Sequence, residues 1–177
     1  MIHLVTGGSG SGKSAFAEQQ ILDMGPAHRL YIATMHPYDE ESFQRIERHR
    51  RMRAEKNFDT LERYTDLLEA EIPDRCNVLL ECMSNLVSNE MFEPTGAGEL
   101  AVDAIMAGIR HIADCAENLV IVTNEIFSDG IDYPDLTKRY QINLAEINCY
   151  LAQMADLVTE VVYGIPVAVK RRDGGVS

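Results

Sequence analysis

Leu4-Val5-Thr6-Gly7-Gly8-Ser9-Gly10-Ser11-Gly12-Lys13-Ser14 decides the fold of this chain. An apolar run enters a glycine-rich loop, and the helix formers from Ala15 to Gln20 leave it. Gly7, then four residues, then Gly12-Lys13-Ser14 is the spacing at which successive backbone N–H groups wrap the phosphates of a nucleotide. Glycines suit such a loop because some N–H groups point inward only at backbone angles that a Cβ resists. In this reading Gly7, Gly8, Ser9, Gly10, Ser11 and Gly12 form the cradle and Lys13 reaches the β and γ phosphates. The Ser14 hydroxyl then holds the Mg²⁺ that bridges those phosphates, and the helix beginning near Lys13 adds its N-terminal dipole. A flexible linker ahead of a surface helix would lack both the apolar strand before the loop and the helix formers after it.

The 177 residues, 46% hydrophobic and 25% charged, have ordinary globular composition. We expect one domain over 1–170 and a disordered tail over 171–177. A net charge of −12 disfavours nucleic acid and anionic membrane surfaces as partners. The N-terminus runs straight into a strand without the features of a signal peptide, and no apolar run reaches the ~18 residues of a membrane span, so we expect a cytoplasmic protein. Cys76, Cys82, Cys115 and Cys149 are far apart, and the histidines lack metal-site spacing, so neither a disulfide framework nor a transition metal is indicated.

Beyond the loop, strand and helix signals alternate. Residues 2–6 read as a buried strand, 13–23 as a helix with Phe16 and Ile21-Leu22 inward and Glu18 outward, and 30–34 as a second strand. Residues 39–53 read as a helix, acidic in its first turn and basic in its last, with Phe43 and Ile46 on its apolar side. The segment 60–68 reads as a polar helix, 77–82 as a strand ending in Glu81, 83–92 and 99–116 as helices, and 119–123 as a strand followed by Asn124-Glu125. A long helix over 135–155 and two strands at 157–163 and 167–170 close the chain, the strands joined by a turn short enough to demand an antiparallel hairpin. The fold class is therefore α/β, P-loop NTPase-like, a mostly parallel sheet flanked by helices with a C-terminal antiparallel hairpin. Glu81, at a strand end beside the loop, is placed to order Mg²⁺ or its water.

Five of the sixteen Lys and Arg residues fall between Arg45 and Arg53, against the acidic balance of the chain. A solvated basic helix face would look the same, but a chain that already binds a polyphosphate has a use for such a cluster.

Taken together, Leu-Val-Thr-Gly-Gly with Ser-Gly-Lys-Ser (4 to 14), Tyr-Ile-Ala-Thr (31 to 34), Arg-Ile and His49 (45 to 49), Leu-Leu-Glu-Cys (79 to 82), Val-Thr-Asn-Glu (122 to 125) and the closing Ala-Asp with Val-Val-Tyr-Gly-Ile-Pro-Val (155 to 167) resemble the bifunctional adenosylcobinamide kinase and adenosylcobinamide-phosphate guanylyltransferase family of cobalamin biosynthesis. The resemblance implies an enzyme that phosphorylates adenosylcobinamide with ATP or GTP. A histidine, His49 by position, then takes GMP from GTP and passes it to the phosphate. It also implies that Gly7 to Ser14, Ile32, Ala33, Thr34, Arg50, Arg51, Met52, Arg53, Glu62 and Glu81 surround the nucleotide, and that the assembly is a homo-oligomer, a trimer with sites near subunit boundaries. Some members have two adjacent histidines where this chain has Arg48-His49, and an Arg in the loop where it has Gly10.

The chemistry of the cluster agrees with this. An imidazole attacks phosphorus only when neutral, and like-charge repulsion from Arg48, Arg50 and Arg51 favours the neutral form. The same guanidiniums can hold phosphate oxygens as charge spreads over them. Two other readings compete: a small-molecule kinase without guanylyl transfer, and a GTP-binding regulatory module. The second lacks an Asn-Lys-x-Asp signature, since Thr123 is followed by Asn124-Glu125-Ile126.

Overall fold

The computed structural model describes residues 1–38, 40–127 and 130–171, without the side chains of Glu41, Ser42, Arg45, His49 and Met52. The expected tail from Arg172 onward lies outside the described residues.

Among the described residues seven strands form one sheet: β1 (Ile2–Thr6), β2 (Arg29–Ala33), β3 (Asp59–Glu62), β4 (Asn77–Glu81), β5 (Asn118–Val122), β6 (Leu157–Val162) and β7 (Ile165–Lys170). Their order is β3-β2-β4-β5-β1-β6-β7, parallel throughout except for β7, which returns antiparallel on β6. Five α-helices accompany them among the described residues: α1 (Lys13–Asp23), α2 (Glu40–Arg53), α3 (Met83–Phe92), α4 (Ala101–Cys115) and α5 (Asp135–Met154). The central strands are nearly continuous apolar runs because both faces are covered. Successive residues point to opposite faces, so Leu4, Leu80 and Ile121 join a large core that includes residues of α3, α4 and α5, while Val5, Leu79, Val120 and Val122 join a smaller one with Ala17 and Ile21 of α1.

β4 and β5 lie between β2 and β1. The chain order reverses across β1, and an open sheet binds ligand at the carboxyl ends of its strands where the order reverses.

Three expectations need correction. Residues 60–68 are not a helix: 59–62 form β3, parallel to β2 at the sheet edge, and only 67–69 make a short 3-10 turn. The β3 stretch is mostly exposed, so alternation is hard to see over its four residues, and Asp66 takes a left-handed φ of 54° that no α-helix accommodates. Glu18 does not face outward but is fully buried on α1 and paired with Lys56. Phe43, placed on the apolar side of α2, is 56% exposed.

Candidate active site

The loop between β1 and α1 is fixed by its backbone. Gly7 has φ 152°, and a Cβ there would come within 2.6 Å of the Val161 carbonyl oxygen and 2.7 Å of Ser11 Oγ. Gly12 caps α1 at φ 92°. The Ser11 carbonyl accepts from the Gly164 N–H at 2.8 Å, and the Gly7 carbonyl from the Glu125 N–H at 3.1 Å, so the β6–β7 turn and the segment after β5 brace the loop from outside. Lys13 Nζ donates to the Gly8 carbonyl at 3.1 Å. Burial pulls the Lys13 ammonium below its ordinary range, against Cys82 and Glu81, which raise it.

The ends of β2 and β4 meet this loop. Ser14 Oγ donates to Glu81 Oε1, and Tyr31 OH donates to Glu81 Oε2 at 3.2 Å. Burial and then the Glu81 carboxylate hold the Tyr31 phenol well above its usual range, so it remains a hydrogen-bond donor. Over the Tyr31 ring lies the Arg53 guanidinium, its Cζ 3.4 Å from the ring centroid. Arg53 is buried, and its Nε and Nη1 have no hydrogen-bond partner among the described residues. A desolvated cation with idle donors is costly unless an anion meets it, and stacking on Tyr31 offsets only part of that cost.

These groups share a cleft of about 520 Å³ with Arg48 and Arg50 of α2 and with Glu62 and Tyr64 at the end of β3. Arg50 pairs with Glu62, whose other oxygen accepts from Tyr64 OH at 3.0 Å. Cys82 also lines the cleft, but burial raises its thiol pKa, which argues against a nucleophilic role.

Lined by basic residues and by a phosphate-type loop, the cleft suits a nucleoside triphosphate. A family model described as cobinamide kinase / cobinamide phosphate guanyltransferase matches residues 3–169. The chain belongs to this family. Among relatives of the cobinamide kinase/guanyltransferase family, the bifunctional adenosylcobalamin biosynthesis protein CobU of Escherichia coli is 36% identical and that of Salmonella typhimurium 35%, each match covering 96% of this chain and 100% of the relative. CobP of Pseudomonas aeruginosa, of the same printed function, is 29% identical over 96% of this chain and 98% of its own. Two solved structures share the fold: the flagellar accessory protein FlaH of Methanocaldococcus jannaschii (TM-score 0.53, 11% identity, 99% of this chain and 81% of that one) and a DnaB-like replicative helicase (TM-score 0.53, 14% identity, 99% and 53%).

Of the positions picked from sequence, Ser9, Gly10, Ser11, Gly12, Lys13, Ser14, Ala33, Arg50, Arg53, Glu62 and Glu81 line the cleft of this family member. Gly7 and Gly8 shape the loop from behind. Ile32 is instead in the large core, Thr34 ties the end of β2 to Cys82 through its hydroxyl at 2.8 Å, and Arg51 points away to Glu47. His49 lies on α2, but its side chain and that of Met52 are outside the described residues. Sequence reasoning missed Tyr31, Tyr64 and Asn85 among the cleft residues: Tyr31 is held by Glu81, far away in the chain, and Tyr64 by Glu62 on the edge strand β3. Of these only Tyr31 carried a signal, as a polar-tipped residue inside an apolar strand.

Proposed function

We propose that this chain carries both activities of its family: it phosphorylates adenosylcobinamide with ATP or GTP and then transfers GMP from GTP, through His49, to the new phosphate. The observation that carries this is the meeting of Lys13, Ser14 and Glu81 in one cleft with the buried Arg53, whose Nε and Nη1 have no hydrogen-bond partner among the described residues. In the kinase step Lys13 and the loop N–H groups hold the β and γ phosphates. The acceptor hydroxyl oxygen bonds to the γ phosphorus as the bond to the β-phosphate oxygen breaks, and the hydroxyl proton passes to water. In the second reaction an imidazole nitrogen of His49 bonds to the α phosphorus and pyrophosphate leaves. An acceptor phosphate oxygen then attacks the same phosphorus and the P–N bond breaks. Arg48, Arg50 and Arg53 are the groups that would steady the phosphate oxygens in both.

Mg²⁺ fits the donor set, because Ser14 Oγ and the Glu81 carboxylate meet at the loop. The described residues hold no group of three His, Cys, Asp or Glu side chains able to retain a metal alone, so phosphates and water would complete its shell. Bound there, it supplies charge neutralisation of the triphosphate. A homo-oligomer, a trimer by the family's example, accords with β7, an edge strand that leaves Ile165, Val167 and Val169 exposed. We place the protein in the cytoplasm, with residues 1–170 as one nucleotide-binding domain. No described helix is long and apolar enough to cross a membrane.

The test is GTP labelled in its α-phosphate. The protein is expected to take up the label in a bond labile in acid and persistent in base, His49→Asn to take up none, and that variant to keep more kinase than guanylyltransferase activity. GMP transfer without protein labelling, or labelling of His49→Asn, would leave the kinase reading alone.

A further inference from the structure

Val-Thr-Asn-Glu, residues 122 to 125, has no role in the reactions as described so far, although its place in the sheet is central. β5 lies between β4 and β1, with Val122 in register with Glu81 on one side and Val5 on the other. The chain beyond Val122 therefore emerges between the Glu81 carboxylate and the start of the phosphate loop. Thr123 is spent on structure: its N–H donates to the Val5 carbonyl at 2.9 Å and its hydroxyl to Asn148 Oδ1 of α5 at 2.7 Å. Glu125 caps its own turn by accepting from the Phe127 N–H at 2.9 Å.

Asn124 is different. It lines the cleft together with Lys13, Glu81 and Asn85. Its Nδ2 donates to Ser84 Oγ and lies 3.9 Å from Cys82 Sγ, so the amide nitrogen is turned toward the protein. Ser84 is itself held, its carbonyl accepting from Tyr140 OH at 3.2 Å. With its nitrogen so turned, the carboxamide keeps one free function, the acceptor oxygen Oδ1, which bonds to no protein group among the described residues.

We propose that Asn124 orients the phosphoryl acceptor, its Oδ1 accepting a hydrogen bond from the hydroxyl that attacks the γ phosphorus. The proposal rests on the kinase activity set out above. A neutral oxygen suits this position. A carboxylate would stand beside Glu81 and repel the triphosphate, and a cation would compete with Lys13 for the phosphates. A carboxamide is too weak a base to retain the proton, so Asn124 aims the hydroxyl lone pair at phosphorus while the proton goes on to water. After phosphorylation the same tail of the corrinoid returns carrying a phosphate, and the Asn124 oxygen offers it nothing. The residue therefore favours the first acceptor over the second.

Asn124→Ala and Asn124→Asp in the full chain separate this from a structural role, with cobinamide and cobinamide phosphate as acceptors. Asp keeps an acceptor oxygen and adds charge; Ala removes the oxygen and adds no charge. With cobinamide at saturating triphosphate, Ala is expected to raise the KM for cobinamide roughly tenfold, the worth of one buried hydrogen bond, and Asp to lie between Ala and the parent. With cobinamide phosphate the order is expected to reverse, Asp falling below Ala through repulsion of the acceptor dianion. The same rank order with both acceptors would show that Asn124 only braces Ser84 and Cys82, and would overturn the proposal while the kinase stands. A parent protein inactive on cobinamide would remove the kinase reading and this inference with it.

Discussion

Lys13, Glu81 and Arg53 are 9%, 8% and 5% exposed, whereas the side chains of Arg50 and Arg51, on the same helix as Arg53, are 52% and 79% exposed. The buried set is interlocked: Lys13 with a loop carbonyl, Glu81 with Ser14 and Tyr31, Arg53 with the Tyr31 ring. Each exposed arginine has one carboxylate partner, Glu62 for Arg50 and Glu47 for Arg51. Under the proposed function, the difference would separate two ways of meeting a phosphate. The buried groups are set when the chain folds, so a ligand finds them already oriented and little reorganisation remains at the moment of transfer. The exposed arginines keep their water and rotamer freedom, and under the proposed function a ligand would have to take them from their carboxylates.

The contrast breaks first at Lys13. Lys13→Ala is expected to lower both the kinase and the guanylyltransferase reactions by on the order of 3 kcal/mol each, more than a hundredfold, because both draw on phosphates held by one loop. Steady-state turnover with each acceptor checks this, and an unaffected reaction would mean a separate site. A stability comparison comes next. The fully buried Glu18 reaches Lys56, 30% exposed, in the turn after α2, and so ties the helix of the phosphate loop to the arginine helix. Lys56→Ala leaves that carboxylate buried and unpaired, and about 3 kcal/mol of unfolding free energy should be lost. Arg51→Ala removes an exposed i,i+4 pair with Glu47 and should change stability by less than about 0.5 kcal/mol. Urea denaturation of the two variants gives both values, and equal losses would erase the distinction between the regions.

A smaller effect should follow pH. His3, buried on β1, donates or accepts through Nε2 with Thr159 Oγ1 at 2.8 Å, and burial lowers its pKa from 6.5 to about 4. The unfolded chain then binds the proton first as pH falls, so stability is full above about 6.5 and declines toward 4. The integrated loss between pH 7 and pH 5 is about 2 kcal/mol. In His3→Gln that part of the slope should vanish, as measured by denaturation at the two pH values.

The parts of the fold that were legible in the sequence are those coded by local pattern. The loop spacing, the apolar runs of β1, β4 and β5, and the short connection of the hairpin carry their geometry within a few residues, although the turn is Tyr163-Gly164 rather than the expected 164–166. β3 was not legible, because a short, mostly exposed edge strand is defined by its pairing with β2 rather than by its own composition. Glu18 was misread for a related reason: the residue that permits its burial is 38 positions away. In the site, Lys13, Ser14 and Glu81 followed from motif and strand end, whereas Tyr31 acquires its place only when β2 lies beside β4 and Arg53 folds over the ring.

The bond from the Gly164 N–H to the Ser11 carbonyl also orders events in time. During synthesis the phosphate loop leaves the ribosome first among the functional parts, but β6 and the turn that brace it come near the last of the described residues. Until they pair with β1, Gly7 has no Val161 carbonyl behind it and Ser11 has no partner for its own. A nascent chain halted before β6 therefore carries the full loop motif with only one of its two outside braces, the Glu125 N–H on the Gly7 carbonyl.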